Sequence, residues 1–529
     1  MVSQGGIGRK YFSTFIPCTV LALISGHTGN WQNISMDKKY SRFIFFGVLL
    51  YVVYHVATLI YSPIPWFDEE TYANITESFL KNGHFYEEAR NISVATSKLD
   101  LAYGPVYFML QGAVTTLFGF SIFTFRMTNL FFGLGCLFLI YKVCRQLKFS
   151  DQVTLITLLL IGLDPQFNQF LHSGRMDFIA LFFFLSSYLV FTSINSSGTN
   201  KYLLKGLLTG ILMACAFLTN PRILFSFSFY PFFFLFELIS GKFKNALPLI
   251  LKYAAVVVSF VCLYGIWVYV EFGSLANYIS ETYTNSPIMK EHVGATTAGL
   301  RLNYNMIMHI LSLVCFLLLL ITGKIRQQIS VVLLTVPAVI VFLLLVSGGI
   351  AGRYYGLVVP FTTILIVGST LAAFGNLPSK IFVRALAGLF FVVFVFKAVY
   401  IFATMDQRNP ATYDKIISAT IPDGSSVGGD FQYYYIGRKH GWKFQCLEQN
   451  GTKLEEVSYF QDHKYDYFVI EKNNNFQALY QSTFLKDKYK LVATIDENTY
   501  NSLFHRIIAR LPYKITEGYA CYIYKYTGG

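Results

Sequence analysis

The sequence predicts an α-helical polytopic membrane protein that ends in a small C-terminal α/β domain. Of its 529 residues, 54% are hydrophobic and only 13% are charged, so a water-soluble protein of this composition would need an implausibly large core. Apolar runs of roughly 17 to 25 residues recur along the first part of the chain, and a helix needs this length to cross a bilayer. The strands of a β-barrel would be shorter and would alternate in polarity.

The basic residues lie at the ends of the apolar runs and do not form one patch. The basic residues behind the net charge of +13 are therefore expected to orient the helices in the membrane, and no nucleic-acid partner is predicted. About 11 spans are predicted from the apolar runs. They cover approximately residues 43–62, 124–141, 152–166, 177–194, 203–219, 223–240, 250–270, 304–322, 329–347, 355–373 and 382–403.

The apolar stretch 103–120 is predicted to lie along the outer face of the membrane as a juxtamembrane helix. A crossing there would place Lys142, Arg145 and Lys148 outside the cytoplasm, against the tendency of basic residues to remain inside. The predicted domains follow from this assignment. They are an uncertain N-terminal cytoplasmic segment (1–42), in which Met36 looks like a more natural start, a transmembrane domain (43–403) with a large first outer loop (63–123), and an outer α/β domain (404–529).

Residues 404–529 alternate short β-like runs with helical stretches, which is typical of a small α/β domain. The runs are YDYFVIE, YKLVATID and CYIYKY, and the helices are expected near 411–420 and 476–486. Cys446 and Cys521 fall in this polar region and would be able to pair in an oxidising compartment. The sequence leaves that pairing open.

Three acids follow the first predicted span in the stretch PIPWFDEETYANI. Asp68, Glu69 and Glu70 are either a solvated loop or part of a site. The prolines and Trp66 that precede them turn the chain at the interface and would hold a carboxylate at a fixed depth, as a general base requires. We expect Glu70 to be solvated. Asp177 opens a span that contains no other acid, and it either complements the helix dipole or is functional, because boundary ionisable groups are costly.

Three arginines stand at the outer ends of predicted spans, each near Gly or Pro: Arg175, Arg222 and Arg353. Singly, each would be an interfacial anchor. Together they would clamp a phosphate, since guanidinium groups bind phosphate bidentately. The stretch YGPVYF at 103–108 adds a helix start whose N–H groups would bind an anion. Acids beside cations suit a reaction on a lipid phosphate, whereas a proton-coupled transporter would need charges near the bilayer midplane.

The order of four motifs resembles a known family. WFDEETYANITESFLKNGHFY, YGPVYFMLQGAVTTLFGFSIFTFRMTNLFFG, GRMDFIALFFF and GRYYGLVVP are similar to GT-C glycosyltransferases of the protein O-mannosyltransferase and lipid A aminoarabinose transferase type. The resemblance covers about residues 40–400. It implies an inverting transfer, outside the cytoplasm, of a sugar from a polyprenyl-phosphate donor such as undecaprenyl or dolichyl phosphate. The acceptor would be a hydroxyl of a lipid, a glycan or a protein, and the location a bacterial inner membrane.

The resemblance also assigns roles to residues. Asp68 matches the aspartate that serves as catalytic base, Glu69 is its neighbour in the same Asp-Glu pair, and Asp177 matches the second acid. In some members the second acid joins the first around a divalent metal ion or helps to orient the acceptor, so the resemblance implies that Asp68 and Asp177 either hold such an ion or that Asp177 orients the acceptor. The residues expected to bind the donor phosphate are Arg175, Arg222, Arg353, Tyr354 and Tyr103.

One departure from the family is Tyr103-Gly104-Pro105, where relatives often carry a basic or imidazole side chain before a Pro pair. The alternative function is a lipid or solute transporter, or a scaffold with a partner-binding outer domain. The two functions differ in geometry, because the enzyme requires Asp68 and Asp177 to converge, whereas the alternative allows them to lie on opposite sides of the helix bundle.

Overall fold

The structure is a computed structural model, and it describes most of the chain. The described residues are 38–86, 89, 103–193, 199–239, 246–281, 283, 304–323, 331–337, 340, 355–373, 377–447, 460, 463–472, 480–481, 485–496 and 518–528. Three predicted segments lie wholly or mostly outside them. These are the N-terminal residues 1–37, most of the helix expected near 476–486 and most of the span 329–347.

The predicted transmembrane domain is built of helices joined by turns in its described part. Its helices are α1 (Lys38–Thr58), α2 (Phe67–Asn82), α3 (Val106–Phe118), α4 (Ile122–Gln146), α5 (Asp151–Gly162), α6 (Pro165–Leu171), α7 (Asp177–Thr192), α8 (Thr199–Phe217), α9 (Leu224–Phe227), α10 (Phe229–Ile239), α11 (Ala246–Phe272), α12 (Tyr304–Ile321), α13 (Tyr355–Ala373) and α14 (Leu377–Ala403). One apolar core, to which α4, α5, α7 and α13 contribute many side chains, holds the bundle together.

Three of the described helices are long and apolar enough to cross a membrane, namely Ile122–Gln146, Leu247–Phe272 and Lys380–Ala403. They correspond to three of the predicted spans, and the count of about 11 spans stays a prediction. The segment 223–240, predicted as one span, is divided into α9 and α10. At the break, the Ser228 hydroxyl donates to the Phe225 carbonyl over 2.6 Å, so a side chain competes there for a helical backbone acceptor.

Helix α3 is the predicted juxtamembrane helix. Its 13 residues would extend only about 20 Å, which is short of the hydrocarbon thickness of about 30 Å. At its end, Leu117 and Phe118 are each 76% exposed. Length and exposure therefore agree with a helix that lies at the membrane surface.

Helices α8 and α11 approach each other closely through two glycines. A Cβ atom on Gly206 would lie 2.3 Å from the Lys252 carbonyl oxygen, and one on Gly210 would lie 2.0 Å from Ser259 Oγ. Small residues four positions apart are typical of close helix pairs in membranes. The contact fixes α8, whose C-terminal end leads directly into the loop that carries Asn220 and Arg222.

The C-terminal region forms a five-stranded mixed sheet, which confirms the predicted α/β character. The strands are β1 (Ser426–Gly429), β2 (Lys443–Cys446), β3 (Tyr467–Glu471), β4 (Tyr489–Ile495) and β5 (Cys521–Tyr526), in the order β2-β1-β3-β5-β4. Strands β1, β2 and β3 pair in parallel, and β5 runs antiparallel to β3 and β4. Helices α15 (Pro410–Thr420) and α16 (Tyr434–Lys439) accompany them.

The sequence identified β3, β4, β5 and α15, but it missed β1 and β2. The missed strands are four residues long, and SVGG has little of the β-branched or aromatic character that marks a strand. Cys446 lies in β2 and Cys521 lies in β5. Two strands lie between them, a separation of about 14 Å at ordinary strand spacing, so they are too far apart to pair.

The sheet packs on the first outer loop and shares a core with it. Ile64 and Ala73 belong to the same apolar cluster as Val427 and Val469 of the sheet. The Tyr434 hydroxyl donates to Glu77 Oε2 over 2.9 Å, and Arg438 forms an ion pair with the same carboxylate. The C-terminal region therefore holds helix α2, whose first turn carries Asp68, Glu69 and Glu70.

His440 links α15 and the turn before β1 through two carboxylates. Its Nε2 lies 2.7 Å from Asp414 and its Nδ1 lies 2.7 Å from Asp423, while Lys439 also pairs with Asp414. Burial lowers the pKa of His440, but the two hydrogen-bonded carboxylates raise it more, so that it lies above the ordinary value of 6.5.

We expect the stability of the C-terminal domain to fall at alkaline pH through His440. A raised folded-state pKa means that the stabilisation is fully present below the unfolded pKa of about 6.5 and is lost as the pH rises through the raised value. Thermal unfolding of the full chain in detergent, followed at a series of pH values from 5.5 to about 9, measures this. His440→Gln should flatten the decline, and an identical pH profile in the variant would contradict the assignment.

Candidate active site

Asp68, Glu69 and Glu70 occupy the first turn of α2, where carboxylates complement the helix dipole. Their environments differ. The Asp68 side chain is 21% exposed, whereas Glu69 and Glu70 are fully buried. The expectation that Glu70 is solvated is therefore wrong, because the C-terminal domain covers this face of α2. Burial there raises the pKa of Tyr434, and the nearby Glu70 carboxylate raises it further.

Glu69 forms a buried, bidentate ion pair with Arg126 of α4. Arg126 Nε donates to Oε1 over 2.8 Å, and Nη2 donates to Oε2 over 2.7 Å. Arg126 also donates through Nη1 to the Leu59 carbonyl over 2.8 Å, and both charged side chains are 0% exposed. Glu69 thus joins α2 to α4, and its carboxylate is enclosed by protein.

Asp68 and Asp177 converge on one guanidinium group, that of Arg175. Arg175 Nη1 donates to Asp68 Oδ2, and Arg175 Nε donates to Asp177 Oδ2 over 2.6 Å. The Arg175 and Asp177 side chains are each 2% exposed, so Asp68 is the most accessible member of this trio. Burial lowers the pKa of Arg175, but the charges of Asp177 and Asp68 raise it well above its ordinary value.

The loop that carries Arg175 is fixed by hydrogen bonds to both backbone groups of Gly174. The Gly174 N–H donates to Glu69 Oε1 over 2.6 Å, and the Tyr107 hydroxyl donates to the Gly174 carbonyl over 2.6 Å. The guanidinium also lies over the rings of Trp66, at 5.1 Å, and Phe170, at 5.4 Å. Cation–π contacts of this kind stabilise a partly desolvated charge.

His172 supports the same loop from the side of α1. Its Nδ1 lies 2.9 Å from the Ser62 carbonyl and therefore carries the proton, so that Nε2 accepts from His55 Nδ1 over 2.6 Å. Burial lowers the pKa of His172 well below its ordinary value. The ring is therefore neutral, and its two contacts hold the loop of Arg175 against α1 and the residues that follow it.

Asp177 is also bound by the loop that follows α8. Asn220 Nδ2 donates to Asp177 Oδ1 over 3.1 Å, and Asn220 Oδ1 accepts from the Arg222 N–H over 3.1 Å. Arg222 Nη2 in turn donates to the Tyr103 hydroxyl over 3.2 Å. Arg222 and Tyr103 thus lie beside the trio of Asp68, Arg175 and Asp177.

The start of α3 meets the loop after α8 backbone to backbone. The Val106 N–H donates to the Leu218 carbonyl over 3.2 Å, and a Cβ atom on Gly104 would lie 2.3 Å from the same oxygen. One of the N–H groups expected to bind an anion therefore binds protein. Gly104 is required for a close approach that places Tyr103 against Arg222.

Tyr72 lies one helical turn after Asp68 and is 1% exposed. Its ring packs edge-on against Tyr103 at 5.5 Å and Tyr107 at 5.7 Å. Burial raises its pKa, and so do the neighbouring Tyr103 and Asp68, while Arg175 and Arg222 lower it. Tyr72 is therefore surrounded by the residues of the candidate site.

The structure brings six of the eight predicted site residues into one region: Asp68, Glu69, Tyr103, Arg175, Asp177 and Arg222. Arg353 and Tyr354 lie outside the described residues. Sequence reasoning missed Arg126, Asn220, Tyr72 and Tyr107. Of these, Arg126 carried a signal, because an arginine in an apolar run is costly unless it has a buried partner.

The comparisons with known proteins agree with this architecture. The family described as dolichyl-phosphate-mannose-protein mannosyltransferase matches residues 67–280. Two crystal structures of ArnT from Cupriavidus metallidurans are similar in fold. The structure bound to undecaprenyl phosphate is 12% identical in sequence and has a TM-score of 0.54, and the match covers 92% of this chain and 98% of the ArnT chain. The apo structure is 13% identical with the same coverage and a TM-score of 0.56. A search of curated proteins finds no match.

Proposed function

We propose that this chain, which resembles the protein mannosyltransferases and ArnT, is a membrane glycosyltransferase that transfers a sugar from a polyprenyl-phosphate donor to a hydroxyl acceptor, with Asp68 as the general base. We place the reaction at the outer face of the membrane, in a bacterial inner membrane. The acceptor is a hydroxyl of a lipid, a glycan or a protein. The undecaprenyl phosphate bound to the similarly folded ArnT supports a donor of this class.

The observation that carries the proposal is the convergence of Asp68 and Asp177 on Arg175. The two acids are 109 positions apart in the sequence, and α2 and α7 bring them to opposite edges of one guanidinium. The transporter or scaffold alternative gives no reason for these residues to meet. The enzyme requires it, because a base and the group that orients it must occupy one site.

Asp68 is the member of the trio that suits proton transfer. A general base must be ionised and must reach the acceptor hydroxyl. The adjacent Arg175 favours the ionised carboxylate, and the 21% exposure of Asp68 leaves it accessible. Glu69 fits a structural role better than the catalytic role expected from the sequence, because both of its oxygens bind Arg126 in a fully buried pair.

The proposed reaction is a single displacement. The acceptor oxygen attacks the anomeric carbon from the face opposite the phosphate while its proton passes to Asp68. The bond between the anomeric carbon and the phosphate oxygen breaks, and polyprenyl phosphate leaves with the electron pair. Inversion at the anomeric carbon follows from this geometry. Positive charge near the departing phosphate stabilises the transition state.

Arg222, Arg353, Tyr354 and Tyr103 form the proposed set that binds the departing phosphate. Arg222 donates to the hydroxyl of Tyr103, and Asn220 links it to Asp177. Arg175, which the sequence also suggested as a phosphate ligand, instead donates to Asp68 and Asp177. We therefore assign it to the carboxylates.

Arg222→Ala is expected to weaken donor binding more than catalysis. Loss of a charge-assisted hydrogen bond of about 1.5–3 kcal/mol corresponds to an increase of about 10- to 100-fold in the donor KM. Initial rates at varied donor concentration measure this change. Arg222→Lys, which keeps the charge but not the planar geometry, should recover part of the affinity. An unchanged donor KM in Arg222→Ala would make Arg222 an interfacial anchor.

The activity itself is tested by transfer from a panel of radiolabelled polyprenyl-phosphate sugars into lipid, glycan and protein fractions. The fraction that gains label identifies the acceptor class, and the active donor identifies the sugar. Purified protein that transfers no sugar from any donor to any fraction would refute the proposed function.

A further inference from the structure

We propose that Arg175 is the built-in cation of the Asp68–Asp177 pair and takes the place of a divalent metal ion in this protein. The resemblance to GT-C glycosyltransferases implies that the two aspartates are able to hold such an ion. The part of the proposal that concerns metal binding stands on the structure alone, and the part that concerns turnover rests on the proposed function.

The first argument is the geometry of the acid pair. A divalent ion would need carboxylate oxygens at about 2.0 to 2.6 Å from one centre. Here the space between Asp68 Oδ2 and Asp177 Oδ2 is filled by the guanidinium of Arg175, which uses Nη1 for one acid and Nε for the other. Among the described residues, no group of three or more His, Cys, Asp or Glu side chains has a metal-binding arrangement.

The second argument is the balance of charge. Asp68 and Asp177 contribute two negative charges, and Arg175 and Arg222, whose charges interact, contribute two positive charges. Glu69 and Arg126 neutralise each other in their own buried pair. A divalent ion added here would give the site a net positive charge in contact with Arg175, and an uncompensated buried charge is costly.

The third argument is that Arg175 is anchored in place. Its side chain is 2% exposed and is covered by the rings of Trp66 and Phe170. The preceding Gly174 is fixed through its N–H by Glu69 and through its carbonyl by Tyr107. A metal ion would have to displace the Arg175 side chain, which is buried and follows a hydrogen-bonded backbone. Asp68 and Asp177 are therefore not a vacant pair of metal ligands.

Arg175 then does in this site what a metal would do for the carboxylates. It keeps Asp68 ionised and fixes its direction relative to Asp177, and Asn220 fixes Asp177 from the other side. Arg175 is therefore a positioning residue that acts through Asp68. The proposal predicts transfer that is insensitive to chelators and dependent on the guanidinium.

The first test measures metal binding without any sugar substrate. Wild-type protein stripped with EDTA is titrated with Mn²⁺, and bound ion is followed by electron paramagnetic resonance. We expect Asp177→Asn to bind the same amount of Mn²⁺ as the wild type, because the wild-type acid pair binds none. In Arg175→Ala the acid pair loses its cation, and we expect a new Mn²⁺ site that the double variant Arg175→Ala/Asp177→Asn lacks. A wild-type Mn²⁺ site that Asp177→Asn abolishes would overturn the proposal.

The second test measures transfer. EDTA treatment should leave the wild-type rate unchanged, while Arg175→Ala should lose at least about 100-fold and Arg175→Lys should recover part of that loss. Asp151→Asn, on the short α5, is the matched control and should retain full activity. Wild-type transfer that stops in EDTA and returns with Mg²⁺ or Mn²⁺ would refute the proposal. If wild-type protein transfers no sugar, the proposed function fails and the Mn²⁺ titration alone decides the metal question.

Discussion

Asp68→Asn is expected to lower the rate of sugar transfer by about 10²- to 10⁴-fold, which is the usual contribution of a general base. Asparagine has almost the same shape as aspartate and still accepts a hydrogen bond from Arg175. Its amide is not basic enough to take the proton from the hydroxyl of the acceptor substrate. Arg175 remains paired with Asp177 over 2.6 Å. The loss should therefore appear in kcat, with little change in the donor KM or in the thermal midpoint.

Asp151→Asn is the control for this variant. Asp151 also forms an ion pair with an arginine, Arg145, but its side chain is 57% exposed and lies on the short helix α5. We expect its transfer rate to equal that of the wild type. Measurable transfer by Asp68→Asn at a rate near the control would remove Asp68 from the role of base and leave it as an orienting group.

Arg126→Met is expected to destabilise the protein by about 3–5 kcal/mol, because it leaves the buried carboxylate of Glu69 without its partner. Both side chains are 0% exposed, and the pair ties α2 to α4 through two hydrogen bonds. The same carboxylate also accepts from the Gly174 N–H, so loss of its alignment should disturb the loop of Arg175. Unfolding in detergent by heat or denaturant measures the change.

The double variant Arg126→Met/Glu69→Leu separates the cost of an unpaired charge from the loss of a favourable contact. Replacing both partners of a buried ion pair by apolar groups is often close to neutral. We therefore expect the double variant to be more stable than Arg126→Met alone. If Arg126→Met unfolds like the wild type, the pair contributes little to stability and the argument for a structural Glu69 fails.

The sequence predicted much of the fold because hydrophobicity and charge are local properties. Helix α4 and the strands β3 to β5 are evident as apolar or alternating runs, and the start of α3 is evident from Gly104 and Pro105. Strands β1 and β2 were missed because SVGG and KFQC have weak local preferences. Their conformation is set by pairing with β3 and with each other.

The candidate site was predictable in composition but not in its pairings. Asp68, Asp177 and Arg222 stood out because charges at the edge of a membrane need a reason. The partner of each charge could not be read from spacing, since Glu69 and Arg126 are 57 positions apart and Asp68 and Arg175 are 107 positions apart. Glu70 was wrongly predicted to be solvated, because no residue near it in the sequence indicates that the C-terminal domain covers it.

The sequence by itself therefore determined that this is a membrane protein with a C-terminal α/β domain, and which acids and arginines lie at the ends of its helices. Only the tertiary structure decided that Glu69 pairs with Arg126 and that Arg175 joins Asp68 to Asp177. The physical reason is that the energy of a buried charge depends on groups within a few ångströms. In this fold those groups come from helices and loops that are distant in the sequence.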